Sequence, residues 1–176
     1  MGQITNQQVE DAFEKIFNAI HSRDFSKARR LHTKNERSLL LPIRFYLLGA
    51  FGNVNPEAVA QMPLGRQGRV DFKLGNTAIE LAVKLADDPK SKLLGQNRPE
   101  MYKLIKHRGR SILVLFDFSK TRSLCDDDII DFYGEQPTFG KGDHYRSPYT
   151  LLYYYRKNRQ TGCFKRQIRC RQIRCP

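Results

Sequence analysis

The spacing of hydrophobic positions changes several times along the chain, and each change marks an element. Residues 7–22, QQVEDAFEKIFNAIHS, place Val9, Phe13, Ile16, Phe17 and Ile20 at helical spacing and predict an amphipathic helix. The basic stretch at 23–34 reads as a short helix or linker. NERSLLLPIRFYLLGAFGN predicts a second, mostly buried helix, with Asn35 as N-cap, Pro42 as a kink and Gly49 and Gly52 at its end. EAVAQM at 57–62 is expected as a short strand.

Period two takes over at 69–85. Val70, Phe72 and Leu74 alternate with Arg69, Asp71 and Lys73; beyond Gly75-Asn76, Ile79, Leu81, Val83 and Leu85 alternate with Ala78, Glu80, Ala82 and Lys84. Two such runs about a Gly-Asn connection predict a hairpin. A helix start follows at Asn97, with Pro99 in its first turn and Glu100 three residues on, and the helix ends at Gly109. The apolar run from Ser111 to Phe116 predicts a strand covered on both faces. Strand, helix and buried strand in that order imply a right-handed parallel crossover.

Ser123 is expected to cap a further helix, whose Asp126-Asp127-Asp128 run suits a helix N-terminus better than a metal site. YTLLYYYR at 149–156 and CFKRQIR at 163–169 predict a second, very basic hairpin, and RQIRC at 166–170 recurs at 171–175 as a frayed end. The expected fold is α/β, a mixed central sheet flanked by helices. It has a helical N-terminal extension (1–34), a main domain (35–165) that includes a C-terminal β-hairpin, and a basic, flexible tail (166–176).

Composition and charge add a partner to this picture. With 176 residues, 40% of them hydrophobic, the chain can bury one sizeable core. A net charge of +13, with eight Lys/Arg and no acid from Arg156 onward, favours a polyanionic partner. No apolar run approaches the roughly 18 residues of a membrane span, and the N-terminus lacks a signal-peptide pattern, so a cytoplasmic protein is expected. Cys163, Cys170 and Cys175, separated by six and four residues, match no standard zinc spacing and read as free thiols.

The candidate chemistry lies in the first hairpin. Counting outward from Gly75-Asn76 pairs Leu74 with Thr77, Lys73 with Ala78, Phe72 with Ile79 and Asp71 with Glu80. The two acids would then face each other at about 5 Å between Cβ atoms, which a divalent cation, a lysine or a raised pKa must offset. Lys73 sits diagonally from Glu80, Lys84 lies further along that face, and Ala78 and Ala82 leave room. Two carboxylates with lysine suit Mg²⁺ or Mn²⁺ and a phosphate; a solvated surface pair is the plainer alternative. Outward-facing tyrosines of Tyr153-Tyr154-Tyr155, beside Arg156, Lys157 and Arg159, suit base stacking and phosphate contact, and Lys165 and Arg166 extend that basic hairpin. His144 and Tyr145, beside Asp143, read as a solvated loop.

A helix with Glu36, a short strand, a hairpin with Asp71 and Glu80, a helix and a buried strand resemble the core of the PD-(D/E)xK, or restriction-endonuclease-like, nuclease superfamily across residues 35–118. The resemblance implies a Mg²⁺-dependent nuclease, endo- or exonucleolytic, that hydrolyses DNA phosphodiesters. By it, Asp71 and Glu80 hold the metal and Glu36 is a supporting acid. Gln96, Tyr102 and Lys103 sit where helix residues of such nucleases approach the site and contact nucleic acid. The catalytic lysine is expected two residues past the second acid, where this chain has Ala82. Lys84, about 13 Å along the strand from Glu80 rather than about 7 Å, or Lys73 is therefore assigned that role. The alternative string Pro56-Glu57 with Asp71-Phe72-Lys73 leaves Glu80 unexplained. The implied partner is nucleic acid, DNA before RNA, with no membrane and with homodimer formation left open. Ala82 supports a second reading, a catalytically degenerate nucleic-acid-binding module of the same fold. A third is a basic domain whose tail recognises acidic proteins.

Overall fold

The computed structural model describes residues 4–22, 37–53, 55–61, 67–85, 88–89, 101, 103–105, 107, 109–129, 148–158 and 160–168. Helices α1 (Asn6–Ile20) and α2 (Arg37–Phe51) precede strands β1 (Asn55–Gln61), β2 (Gln67–Leu74), β3 (Thr77–Lys84), β4 (Arg110–Asp117), β5 (Tyr149–Lys157) and β6 (Gln160–Ile168). The strands form one mixed sheet in sequence order, so each pairs with its neighbour in the chain. Pairing is antiparallel at β1/β2, β2/β3 and β5/β6 and parallel at β3/β4 and β4/β5.

The central parallel strands are apolar on both sides because helices cover both faces. Ile79, Leu81, Val83, Val114, Phe116 and Tyr154 pack with α1 and α2. Ala78, Ala82, Leu113, Leu115, Leu151 and Tyr153 pack instead with Met101, Leu104 and Ile105, helical residues of the β3–β4 crossover, and with Leu124 and Ile129. The protein is thus α/β, a mixed sheet between helical layers. The apolar run at 111–116 is β4, parallel to β3 as the crossover order requires.

Helix α1 starts with a capping box: Gln8 N–H donates to Thr5 Oγ1 at 3.2 Å, and Thr5 N–H donates to Gln8 Oε1 at 2.8 Å. Its stripe of Val9, Ala12, Phe13, Ile16 and Phe17 is buried. Phe17 meets Phe116 at 5.1 Å between ring centroids, and Tyr154 Oη donates to the Glu10 carbonyl at 3.0 Å. The segment expected as an N-terminal extension therefore shares the domain's core.

Three expectations need correction. Helix α2 is not mostly buried: Leu39, Ile43 and Leu47 are covered, whereas Leu41, Phe45, Tyr46 and Leu48 are exposed, Phe45 to 63%. Only one flank of a helix can lie on a sheet, and the all-round hydrophobicity of α2 hid which. Ser123 does not cap the helical residues 126–129. Cys125 does, with Cys125 N–H donating to Asp128 Oδ2 at 2.8 Å and Asp128 N–H reaching Cys125 Sγ at 3.5 Å. The flexible tail does not begin at residue 166, because β6 continues through Arg166 and Gln167 to a buried Ile168, paired with Tyr149. Residues 169–176 lie outside the described residues.

Candidate functional site

The first hairpin turns where expected, with Phe72 opposite Ile79, Lys73 opposite Ala78 and Leu74 opposite Thr77. Gly75 takes a φ of +58°, the left-handed region that glycine enters without steric cost. The ladder then stops, so Asp71 is not paired with Glu80 across it. Val70 and Phe72, two residues apart, belong to opposite faces of the sheet, so the alternation of β2 breaks around Asp71. In place of a ladder bond, Asp71 Oδ2 accepts from the Leu81 N–H at 2.9 Å. That amide belongs to the peptide joining Glu80 to Leu81, so the Asp71 carboxylate lies against the backbone of Glu80.

Glu80 is only 1% exposed. A buried carboxylate needs a partner charge or donors, and Lys103 supplies the charge, with Nζ 2.8 Å from Glu80 Oε1. Lys103 also donates to the Arg69 carbonyl at 2.9 Å, tying the crossover helix to β2 and β3. One lysine thus comes from the helical layer to the acid on β3, in the layer where Ala82 is buried. The sequence placed Lys103 near the site but gave the lysine role to Lys84 or Lys73.

Lys84 is placed differently. It is 4% exposed and donates to Ser119 Oγ at 2.6 Å and to the Leu85 carbonyl at 3.2 Å. Four residues of strand carry it away from Glu80, to the C-terminal end of β3 beside Asp117. Lys73 is half-buried on β2, opposite Ala78 and Asn55. Glu36, Gln96, Tyr102, Arg159, His144 and Tyr145 lie outside the described residues.

The basic hairpin divides its residues among several environments. Lys165 pairs with Glu10 at 2.6 Å, Arg166 and Lys157 are exposed, and Arg156 is half-buried beside the end of α1. Tyr153 and Tyr154 are core on opposite faces. Tyr155 stacks on Tyr153 at 5.3 Å, and the Arg122 guanidinium lies 4.6 Å from the Tyr155 centroid and 5.7 Å from that of Phe164. Arg122, which also pairs with Asp126, thereby fills the stacking position over those rings.

Sequence reading missed Asp117, which ends β4 fully buried. It accepts from Tyr153 Oη at 2.6 Å, from Ser119 N–H and Ser123 N–H at 3.0 Å each, and from Ser123 Oγ. Burial, the largest influence, pushes its carboxyl up, but the bonds from Ser123, Tyr153 and Ser119 together outweigh it and hold the group below its ordinary value. The available signal was an acid closing an apolar run, with serines two and six residues on.

Among the described residues no three His, Cys, Asp or Glu side chains gather as a metal-binding group, so a metal at the hairpin would rest on Asp71 and Glu80. Two carboxylates are a sufficient hard-oxygen set for Mg²⁺, whose remaining positions go to water and phosphate oxygens. Among the described residues no helix is long and apolar enough to cross a membrane. Comparison with protein-family models, with curated proteins and with solved structures found no match to this chain.

Proposed function

We propose that Asp71, Glu80 and Lys103 form the active centre of a restriction-endonuclease-like, Mg²⁺-dependent nuclease acting on DNA phosphodiesters. The observation that supports it best is the Glu80–Lys103 ion pair, held inside the sheet–helix layer with the Asp71 carboxylate against the Glu80 peptide. An acid this deeply placed costs several kcal/mol in desolvation unless compensated. A surface hairpin would avoid that cost by turning the acid outward.

Asp71 and Glu80 would hold the metal, and Lys103 would orient the scissile phosphate and its attacking water in place of a lysine at position 82. A bound divalent ion there supplies an activated water and charge neutralisation at the phosphoryl group. Ala82, buried in the core, favours a second reading in which the same fold binds nucleic acid without cutting it.

Supercoiled plasmid incubated with Mg²⁺ or Mn²⁺ distinguishes the two. Wild type should nick it, and Asp71→Asn, Glu80→Gln and Lys103→Met should each slow nicking by about 100-fold or more. Intact but gel-shifted plasmid with all four proteins supports the binding module. No DNA binding at low salt sinks both readings.

A further inference from the structure

On the sheet face covered by α1, a cleft of about 470 Å³ opens between the end of α1 and the β5–β6 turn, lined by Asn18, His21, Arg156, Gln160 and Thr161. Every lining side chain carries a polar group. Several cations near the sheet are engaged, Lys103 by Glu80, Lys165 by Glu10, Arg122 by Asp126, and Arg110 by the Ile4 carbonyl and Asn6, whereas Lys157 and Arg166 are exposed to solvent. Half-buried Arg156 has no acid or hydrogen-bond acceptor among the described residues, and the side chains of Asn18, Gln160 and Thr161 make no hydrogen bond among them either. Among the described residues, a half-buried guanidinium thus lines one cleft without a partner, beside the exposed carboxamides of Asn18 and Gln160 and the exposed hydroxyl of Thr161. A half-buried guanidinium in a folded protein is ordinarily paired, and water alone leaves its charge uncompensated.

His21 completes the set and is held in place. Its Nδ1–H donates to the Phe17 carbonyl at 3.0 Å, and its ring lies 4.5 Å from Phe17 and stacks on Phe118 at 5.3 Å and 12°. Nε2 is the ring's remaining polar atom. The groups acting on the imidazole are its own burial, the Phe17 carbonyl from α1 and the Arg156 charge from β5; burial and Arg156 favour the neutral form. An anion beside Arg156 offsets the Arg156 contribution and so favours the protonated ring relative to the empty cleft.

We infer that this cleft binds a phosphate group carried by a nucleotide, with Arg156 and His21 on the phosphate and Asn18, Gln160 and Thr161 on its remaining oxygens or on the nucleoside. The guanidinium fork matches phosphate oxygens bidentately. The volume exceeds a bare phosphate and falls in the range of small-molecule sites. The site lies on the opposite sheet face from Glu80 and stands independently of the nuclease reading.

Isotope-labelled protein titrated with inorganic phosphate, adenosine 5′-monophosphate, or a short oligonucleotide with and without a 5′-phosphate provides the test by NMR. Binding should saturably shift the His21 ring and the Asn18 and Gln160 side-chain amides, and should raise the His21 pKa. Arg156→Gln should weaken binding by at least tenfold and Arg156→Lys less, each variant keeping the wild-type spectrum away from the cleft. Equal affinity for phosphate and the mononucleotide identifies the anion alone as the ligand; a preference for the mononucleotide or for the phosphorylated strand identifies a free nucleotide or a strand end. The inference is overturned if no ligand shifts these signals, or if Arg156→Gln leaves the affinity unchanged.

Discussion

Asp117 shows what one buried charge demands of its surroundings. With four hydrogen bonds the carboxylate is stabilised against burial, and Lys84, its register partner on β3, is linked to it through Ser119. Asp117→Asn turns an acceptor-only group into one that also presents N–H to donors, and should destabilise the fold by about 2–3 kcal/mol at pH 7 in urea unfolding. The pH dependence follows from the direction of the shift. A carboxyl whose folded pKa lies below its ordinary 3.8 contributes stability that is fully present above that value and is lost as pH falls through the folded one. The gap between wild type and variant should therefore narrow below about pH 4; a gap constant from pH 7 to pH 3 argues against this account. The same scale explains what the sequence concealed at the hairpin. The turn and register to Phe72–Ile79 followed from alternation alone, but Asp71 left the ladder to bond the Leu81 amide. Lys103 reaches Glu80 only through the packing of the crossover helix, a contact no local spacing encodes.

Among the elements, those with a clean period were legible: α1, β2, β3, β4 and the second hairpin stand close to their expected bounds. Periodicity failed where apolar residues fall on all sides, as in α2, and where competing residues served the cap, as with Ser123 and Cys125. Ser123 was drawn off by Asp117, leaving the cap to Cys125. Junctions between elements carry their own constraint. A Cβ at Gly109, just before β4, would stand 2.2 Å from the Asn76 carbonyl oxygen of the first hairpin turn, a backbone atom that cannot rotate away. At Gly49 in α2 a Cβ meets nothing within 4 Å. Gly109→Ala should cost about 1–3 kcal/mol through overpacking, whereas Gly49→Ala should stabilise by about 0.5–1 kcal/mol by relieving helical glycine entropy. Thermal unfolding would separate them by sign, at about 2–4 °C per kcal/mol for a chain of this size. A lower melting temperature for both would contradict the packing around Gly49.

At the scale of the whole molecule, the excess of 31 basic over 18 acidic residues predicts nucleic-acid binding of strong salt dependence, but not every cation contributes equally. A lysine already paired with an internal acid releases little by meeting a phosphate, because that contact breaks the existing pair. An unpaired exposed arginine displaces a condensed counterion outright. On β6 these cases are neighbours: Lys165 is paired with Glu10 on the α1 face, and Arg166 is exposed on the other, with no acid among the described residues. For a duplex DNA oligonucleotide, log Kobs should fall linearly with log[KCl], each phosphate contact adding about −0.9 to the slope. Arg166→Gln should make that slope shallower by about one unit and weaken binding similarly across sequences, while Lys165→Gln should change it by distinctly less. Equal effects would show that the Glu10 pair opens on binding. A slope near zero for wild type would remove the charge argument for a nucleic-acid partner, leaving the Asp71–Glu80–Lys103 group to be explained as a buried structural ion pair.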